Sequence, residues 1–317
     1  MGDDYSNVAM AQTGETPAPG GGVFPGWVDS DEALAVLERL ELPDWQRKGL
    51  LEIITSGLTV LPSKVPAELC ERTIADYRAW SEERPDLVDS YRDATGREGR
   101  LVNFHMSSDA EMEIVTNNEV CSFIDLMFGE PSAVYTSLTF KYGTQQAIHR
   151  DTPHFATWPK ARFCGAWTAL EDVDPSAGPL AYCEGAHRFP IDEDEIFQRI
   201  LQENPGADPA AVSKHALGNY DAVVITESPN HGTLKTRPIK QGDVLIWHAN
   251  LPHGGSIADD PFRTRWSVVA HHSPVSVQVY PSPEFFSYAA NGPPPPKYGF
   301  FERFGRTVAS SGDTTFM

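Results

Sequence analysis

Cysteine and basic residues are both scarce in this chain of 317 residues. The four cysteines are far apart and form no C-x-x-C pair, which argues against a disulfide framework and favours reduced thiols in a cytosolic protein. The 25 Lys and Arg are outnumbered by 44 Asp and Glu, which gives a net charge of −19. Because a surface of that sign repels phosphate, the composition argues against nucleic acid as a partner.

Long hydrophobic runs are also absent. No stretch approaches the ~18 consecutive apolar residues that a membrane-spanning helix needs. The first residues lack the basic and apolar regions of a secretory signal. With 40% hydrophobic and 22% charged residues, the composition is that of a folded soluble protein. We therefore expect a cytoplasmic protein without a membrane partner.

The hydrophobic pattern changes along the chain. Residues 1–30 are rich in Gly, Pro, Thr and Asp, which predicts a flexible leader. Helical spacing of apolar residues then predicts helices at 32–40, 44–56, 66–82 and 109–129. Beyond Pro131, runs rich in β-branched and aromatic residues predict strands at 134–142, 163–170, 179–183, 222–226, 244–249, 265–272 and 275–280.

Helices followed by closely spaced strands indicate one α+β unit whose strands form an antiparallel sandwich or barrel. We expect a single domain over residues 31–317. It divides into a helical part (31–130), a strand core (131–282) and a C-terminal tail (283–317). A polar, helix-like stretch at 191–220 interrupts the strands, and a long insertion of this kind is often a lid over a site. A decorative surface loop is the alternative.

A candidate metal site centres on His149-Arg150-Asp151. Side chains two residues apart in an extended segment project to the same side, so His149 and Asp151 can reach one ion. His253 follows a predicted strand far downstream and can supply a third ligand. Two imidazoles and a carboxylate form the facial triad of non-haem Fe(II) oxygenases, which leaves positions open for a cosubstrate and O₂. Zinc accepts the same ligands, so these residues leave the metal open.

Two arginines follow the second histidine. Arg263 and Arg265 lie on or beside the last predicted core strand, and a buried guanidinium can bind a carboxylate through two parallel hydrogen bonds. Either arginine could anchor the distal carboxylate of 2-oxoglutarate, or form a surface salt bridge with Asp259 or Asp260. Strand alternation places both on one face, so it does not distinguish them.

The order of these motifs resembles that of the phytanoyl-CoA dioxygenase family of Fe(II)/2-oxoglutarate oxygenases. The matching segments cover most of residues 131–273 and are 149–155, 165–174, 178–188, 242–255 and 265–267. The sequence departs from the family at Gly185-Ala186-His187, where Gly-Ser-His is more common. The resemblance implies a double-stranded β-helix core, also called a jelly roll or cupin-like barrel, with the N-terminal helices packed on it.

The resemblance also implies roles for single residues. It matches the iron ligands to His149, Asp151 and His253. Arg265 best matches the arginine that holds the carboxylate of 2-oxoglutarate, and Arg263 is the second candidate.

Three further residues complete the predicted pocket. Trp167 matches a tryptophan beside the cosubstrate, and Gln146 is a candidate polar contact to it. His154 lies three residues past Asp151, where it either contacts substrate or has a structural role. The sequence does not decide between these two functions of His154.

The implied reaction uses Fe(II), 2-oxoglutarate and O₂ to oxidise a C–H bond of a small molecule, with release of succinate and CO₂. Hydroxylation is the expected outcome, while desaturation, epimerisation and ring closure stay open. Asp151 disfavours halogenation, because halogenating relatives lack this carboxylate. The insertion has no basic cluster for a CoA nucleotide, so we favour a secondary metabolite, and the acidic surface favours a cationic or amino-bearing one.

Two other functions are compatible with the same residues. One is a zinc- or manganese-dependent hydrolase or isomerase on a cupin-type barrel, which needs no carboxylate anchor. The other is a non-catalytic barrel that binds a small molecule.

Overall fold

The computed structural model describes residues 26–280, 285–286 and 298–317. Its helices are α1 (Ala33–Arg39), α2 (Asp44–Ser56), α3 (Ala67–Glu82), α4 (Pro85–Ser90), α5 (Asp109–Val115), α6 (Asn118–Phe128), α7 (Glu193–Glu203) and α8 (Pro209–His231). Short 3₁₀ turns lie at Trp27–Asp29, Phe104–Met106, Pro175–Ala177 and Ala186–Arg188. No helix in these described ranges is both long enough and apolar enough to cross a membrane.

The strands alternate with loops through the rest of the chain. They are β1 (Leu58–Leu61), β2 (Leu101–Val102), β3 (Ser132–Tyr142), β4 (Ala156–Trp158), β5 (Cys164–Ala169), β6 (Leu180–Glu184), β7 (Thr233–Thr236), β8 (Val244–His248), β9 (His253–Gly255), β10 (Thr264–Pro274), β11 (Gln278–Tyr280), β12 (Phe300–Arg303), β13 (Arg306–Ala309) and β14 (Thr315–Phe316).

Two sheets form the core. The larger sheet has the order β1-β8-β5-β10-β3-β13-β12, with β2 paired to β3 and β14 paired to β2. The smaller sheet has the order β7-β6-β9, and β11 pairs separately with β4. All pairs are antiparallel except β13 with β3. Neighbours far apart in sequence, such as β8 beside β5, are typical of a jelly roll, so the expected α+β class is confirmed.

The two faces of the larger sheet have different neighbours because side chains alternate along each strand. On β10, Trp266, Val268 and Ala270 pack in the main hydrophobic core with residues of the N-terminal helices. Arg265 and Val269, from the intervening positions, line a pocket between the two sheets. The N-terminal helices thus cover one face, and the other face is left for the site.

The insertion between β6 and β7 is the helical hairpin α7–α8. The predicted strand at 222–226 is wrong, because these residues lie inside α8. Their β-branched composition favours a strand, but Val212, Ala216, Tyr220 and Val224 recur every fourth residue and bury one helical stripe. The predicted end of the insertion at residue 220 is therefore too early.

Other boundaries shift for similar reasons. Trp27 and Val28 are buried in the main core, so the predicted leader ends too late at residue 30, while residues 1–25 lie outside the described residues. The helix predicted at 109–129 is two helices, because Asn117 caps the second one with its side-chain oxygen. Beyond the undescribed residues 287–297, which include the four-proline run, part of the tail joins the larger sheet through β13 and β14.

Candidate metal centre and its pocket

The three predicted ligands come together at the edge of the smaller sheet. His149 and His253 exchange two backbone hydrogen bonds of 2.9 Å, which fixes the two residues side by side. Asp151 Oδ1 lies 3.6 Å from His149 Nε2, and Asp151 Oδ2 lies 3.7 Å from His253 Nε2. All three ligand atoms fall within 4.8 Å of one another, so the group could hold one metal ion.

Both histidines present the nitrogen that a metal needs. His149 Nδ1 lies 2.9 Å from the carbonyl oxygen of Ala147, and His253 Nδ1 lies 2.9 Å from that of Leu251. A carbonyl oxygen only accepts, so Nδ1 carries the hydrogen in each ring. Each Nε2 therefore keeps its lone pair for a metal, and the backbone fixes the orientation of the ring.

Asp151 is held by two further side chains. The indole of Trp247 donates to Asp151 Oδ2 at 2.9 Å, and His271 Nε2 lies 3.4 Å from the same oxygen. The His271 ring stacks on Phe155 with centroids 3.6 Å apart. Partners of this kind orient a carboxylate ligand and exclude competing rotamers.

The charges at the site suit a divalent cation. Burial acts to raise the pKa of Asp151, but the neighbouring imidazoles outweigh it, so this pKa lies well below its ordinary range. Burial lowers the pKa of His253 to about 4, which keeps that ring neutral at pH 7. The donor set, a carboxylate with two imidazoles, fits Fe(II).

Two glycines make room for these partners. Gly165 lies opposite Trp247 in the β5–β8 pair, and a Cβ at Gly165 would lie 2.3 Å from Trp247 Cε2. Gly254, next to His253, passes so close to the chain that a Cβ would lie 2.6 Å from the carbonyl oxygen of Gln146. A larger residue at Gly165 would displace the Trp247 ring, and a larger residue at Gly254 would push apart the two segments that carry His149 and His253.

Arg265 supplies a buried positive charge to the pocket. The pocket has a volume of about 400 Å³ and is also lined by His149, Asp151 and His253. Arg265 is 3% exposed and donates one hydrogen bond, of 2.6 Å, to the carbonyl oxygen of Gly178. Burial lowers the pKa of Arg265 only to about 10, so the guanidinium stays charged. No acidic side chain of the described residues pairs with it, and its Nε has no partner there. A carboxylate-bearing ligand fits this arrangement.

The other predicted residues divide between the pocket and the surface. Trp167, Gln146 and His154 line the pocket. The Arg265 guanidinium lies 5.9 Å from the centre of the Trp167 ring. Arg263 does not line the pocket: its side chain is 55% exposed and pairs with Asp174 at 2.9 Å.

Trp247, His271 and Arg100 line the pocket but were not among the predicted site residues. Trp247 and His271 hold Asp151, and both lie on strands beside predicted site residues, so strand phase could have found them. Arg100 lines the same pocket, with its guanidinium 5.8 Å from the centre of the Phe140 ring. Its position before β2, in the helical part of the chain, gave no local signal.

Comparison with known families decides the class of this protein. The model of the family described as phytanoyl-CoA dioxygenase (PhyH) matches residues 55–257, which is more than half of the chain. The chain belongs to the phytanoyl-CoA dioxygenase family. It is therefore a non-haem iron enzyme that depends on 2-oxoglutarate, and the family predicted from the motifs is confirmed. No curated protein matches the sequence.

Solved structures share the fold of this family member at low sequence identity. The epimerase SnoN, in complex with Fe³⁺, α-ketoglutarate and nogalamycin RO, has a TM-score of 0.59 and 16% identity, covering 83% of this chain and 98% of its own. The carbocyclase SnoK from nogalamycin biosynthesis has a TM-score of 0.59 and 16% identity, over 83% and 95%. EctD from S. alaskensis, with 2-oxoglutarate and 5-hydroxyectoine, has a TM-score of 0.55 and 16% identity, over 81% and 89%.

Proposed function

We propose that this protein hydroxylates a C–H bond of a small molecule in secondary-metabolite biosynthesis, with release of succinate and CO₂. The observation that carries the proposal is a buried arginine in the same pocket as a His-Asp-His triad, with no acidic partner among the residues that the structure describes. Of the structural neighbours, SnoN and SnoK act in nogalamycin biosynthesis, which supports a natural product as substrate.

In this proposal the cosubstrate lies between the triad and Arg265. His149, Asp151 and His253 hold the iron, and the Arg265 guanidinium binds the far carboxylate of 2-oxoglutarate. Trp167 and Gln146 line the same pocket, Trp167 as a wall beside the cosubstrate and Gln146 as a polar contact to it. Arg100 adds a second positive charge to the pocket, which also attracts a dianionic cosubstrate.

The protein's own residues orient the reaction and keep water from it. Bound iron with 2-oxoglutarate and O₂ supplies the oxidising power that an unactivated C–H bond requires. The backbone carbonyls at Ala147 and Leu251 hold the two imidazoles, and Trp247 holds the carboxylate, so the ligands need little rearrangement when metal binds. Apolar side chains, including Phe155, Leu138 and Val269, line the rest of the pocket and limit access of water.

The hydrolase and binding-barrel alternatives lack support from the pocket. A hydrolytic zinc site needs no carboxylate anchor, whereas the Arg265 side chain is buried among the described residues without a counter-charge. The family to which the chain belongs also uses iron and 2-oxoglutarate.

Turnover of 2-oxoglutarate tests the proposed function. Protein loaded with Fe(II) and supplied with 2-oxoglutarate and O₂ is expected to release succinate slowly, and faster when its substrate is found in metabolite pools. His253→Ala and Asp151→Ala should abolish this release. Succinate release that is unchanged in both variants, or activity that requires Zn(II) in place of Fe(II), would refute the proposal.

A further inference from the structure

Two separate chain segments supply the three candidate metal ligands. The first segment contributes His149 and Asp151, and the second contributes His253. Backbone hydrogen bonds of 2.9 Å in both directions join His149 to His253, and Gly255 donates at 3.0 Å to the carbonyl oxygen of Gln146. These bonds join the segments at His149 and before it, so the chain beyond Asp151 depends on other contacts.

A buried side chain joins the same two segments beyond Asp151. Thr152 is 1% exposed, and its hydroxyl donates to the carbonyl oxygen of Ala249 at 3.0 Å. The same hydroxyl contacts the side-chain amide of Asn250, which is also buried. Ala249 and Asn250 belong to the turn between β8 and β9, and β9 begins at His253. The residue after one ligand is thus bonded to the turn that leads to another.

This turn is itself held by buried hydrogen bonds. The backbone N–H of Asn250 donates to His248 Nδ1 at 3.1 Å, so this nitrogen accepts and the ring hydrogen is on Nε2. His248 Nε2 lies 3.1 Å from Asp29 Oδ1 in the first 3₁₀ turn. The backbone N–H of Leu251 donates to the carbonyl oxygen of His248 at 2.8 Å. A turn held in this way can restrain Thr152.

We propose that Thr152, with Asn250 as its partner, is a positioning residue that fixes the backbone of Asp151 for metal binding. The inference rests on the proposed function, because it takes Asp151 and His253 as iron ligands. Thr152 is not among the residues that line the pocket, so it acts through Asp151 and not on a bound ligand. Its role differs from that of Trp247, which holds the carboxylate of Asp151, because Thr152 restrains the main chain.

Metal affinity of an isosteric variant tests this inference. Co(II) stands in for Fe(II), and titration of the apo-protein followed by the visible d–d bands of Co(II) reports affinity and ligand geometry without turnover. Thr152→Val keeps the shape of the side chain but removes the hydroxyl, and it should weaken Co(II) binding about tenfold and change the band intensities. Thr152→Ser keeps the hydroxyl and should stay within about twofold of the wild-type affinity.

The partner residue provides a second variant. Asn250→Ala removes the amide that contacts Thr152 and should weaken Co(II) binding by about five- to tenfold. The double variant should bind little more weakly than Thr152→Val alone, because both substitutions remove the same contact. If Thr152→Val does not fold, Asn250→Ala decides the question. Wild-type affinity in a folded Thr152→Val, or in Asn250→Ala, would overturn the inference.

A buried threonine on another element separates positioning from stability. Thr73 of α3 is fully buried, and its hydroxyl donates to the carbonyl oxygen of Leu69 at 2.9 Å. Thr73→Val removes a buried hydroxyl of the same kind and should leave the affinity for Co(II) unchanged. An equal loss of affinity in Thr73→Val and Thr152→Val would show a general effect of lost stability and would overturn the role of Thr152.

A ligand variant distinguishes this inference from the proposed function. His253→Ala should abolish tight binding of Co(II). Binding that survives in His253→Ala would refute the proposed ligand set and the inference together. Loss of binding in His253→Ala, with wild-type affinity in Thr152→Val, would refute the role of Thr152 alone.

Discussion

A buried carboxyl group behind β3 illustrates how single residues set the properties of this protein. Glu111 of α5 is fully buried and accepts hydrogen bonds from Ser137 Oγ at 2.8 Å and from Thr139 Oγ1 at 2.7 Å. Both partners lie on β3, at positions that alternate with pocket residues such as Leu138. Burial raises the pKa of Glu111 from 4.5 to about 7 despite these hydrogen bonds.

The raised pKa of Glu111 predicts that the free energy of unfolding falls as pH rises. Between pH 4.5 and 7 the folded state keeps the proton of Glu111, whereas the unfolded chain has lost it, so unfolding becomes easier with rising pH. The full effect is about 3 kcal/mol of unfolding free energy, present below pH 4.5 and lost above pH 7. Urea unfolding of Glu111→Gln across this range should lack this decline.

The exposed Glu113 on the same helix provides the control, because Glu113→Gln should follow the wild-type pH dependence. Parallel curves for wild-type protein and Glu111→Gln would contradict the assignment of a neutral buried carboxyl.

Among single residues, only those site residues that stand in a short local motif could be predicted from the sequence. The spacing of His149 and Asp151 and the motif around His253 indicated the triad that the structure brings together. The choice between Arg263 and Arg265 depends instead on a contact with Asp174, far away in sequence. Strand phase contains no information on such a partner, so the two arginines could be separated only in three dimensions.

At the scale of elements, the close packing of strand β5 against strand β8 determines how a ligand of the metal centre is held. Gly165 leaves space for the Trp247 indole, and this indole donates to Asp151. Gly165→Ala should push the ring away, and Trp247→Phe should remove the donor while keeping an aromatic ring. Each change is expected to weaken Fe(II) binding by about 10- to 100-fold, as measured by anaerobic metal titration.

A glycine on α8 provides the matched control. A Cβ at Gly218 meets no atom within 4 Å, so Gly218→Ala should leave metal affinity unchanged. It should also raise the helix stability slightly, because alanine is the better helix former. Wild-type Fe(II) affinity in both Gly165→Ala and Trp247→Phe would show that Asp151 does not depend on this hydrogen bond.

The helical insertion shows where local composition misleads. Residues 222–226 include Val223, Val224 and Ile225, which favour strands when taken alone. In the structure, Tyr220 and Val224 pack in the second hydrophobic cluster, and burial of this stripe outweighs the preference of single residues. Whether α7–α8 moves as a lid stays a prediction.

At the scale of the whole molecule, the C-terminal strands are tied to the helical part by one buried ion pair. Arg306 of β13 donates to Asp125 Oδ2 at 2.5 Å and to Ser122 Oγ at 2.7 Å, both on α6. Asp125 is buried and also accepts from Ser132. The sequence alone predicted a C-terminal tail at 283–317 within the single domain and no strand in it, because neither the pairing of β13 with β3 nor this ion pair has a local signature.

Removal of this arginine should destabilise the entire fold. Arg306→Ala leaves a buried carboxylate without its cation, and we expect a loss of about 3 kcal/mol in the free energy of unfolding in urea. Arg303→Ala removes an exposed pair with Asp109 and should cost less than about 1 kcal/mol. Equal effects of the two substitutions would mean that the buried pair contributes no more than a surface pair.

The triad and Arg265 are expected to bind iron and 2-oxoglutarate together. Anaerobic titration of the apo-protein with Fe(II) and then 2-oxoglutarate, followed by the visible charge-transfer band, tests this expectation most directly. We predict a band in wild-type protein and in Arg263→Ala, no band in His253→Ala, and an affinity for 2-oxoglutarate about 10- to 100-fold weaker in Arg265→Ala. No band in the wild-type protein would show that the triad does not hold iron with 2-oxoglutarate, and an unchanged affinity in Arg265→Ala would show that Arg265 is not the anchor.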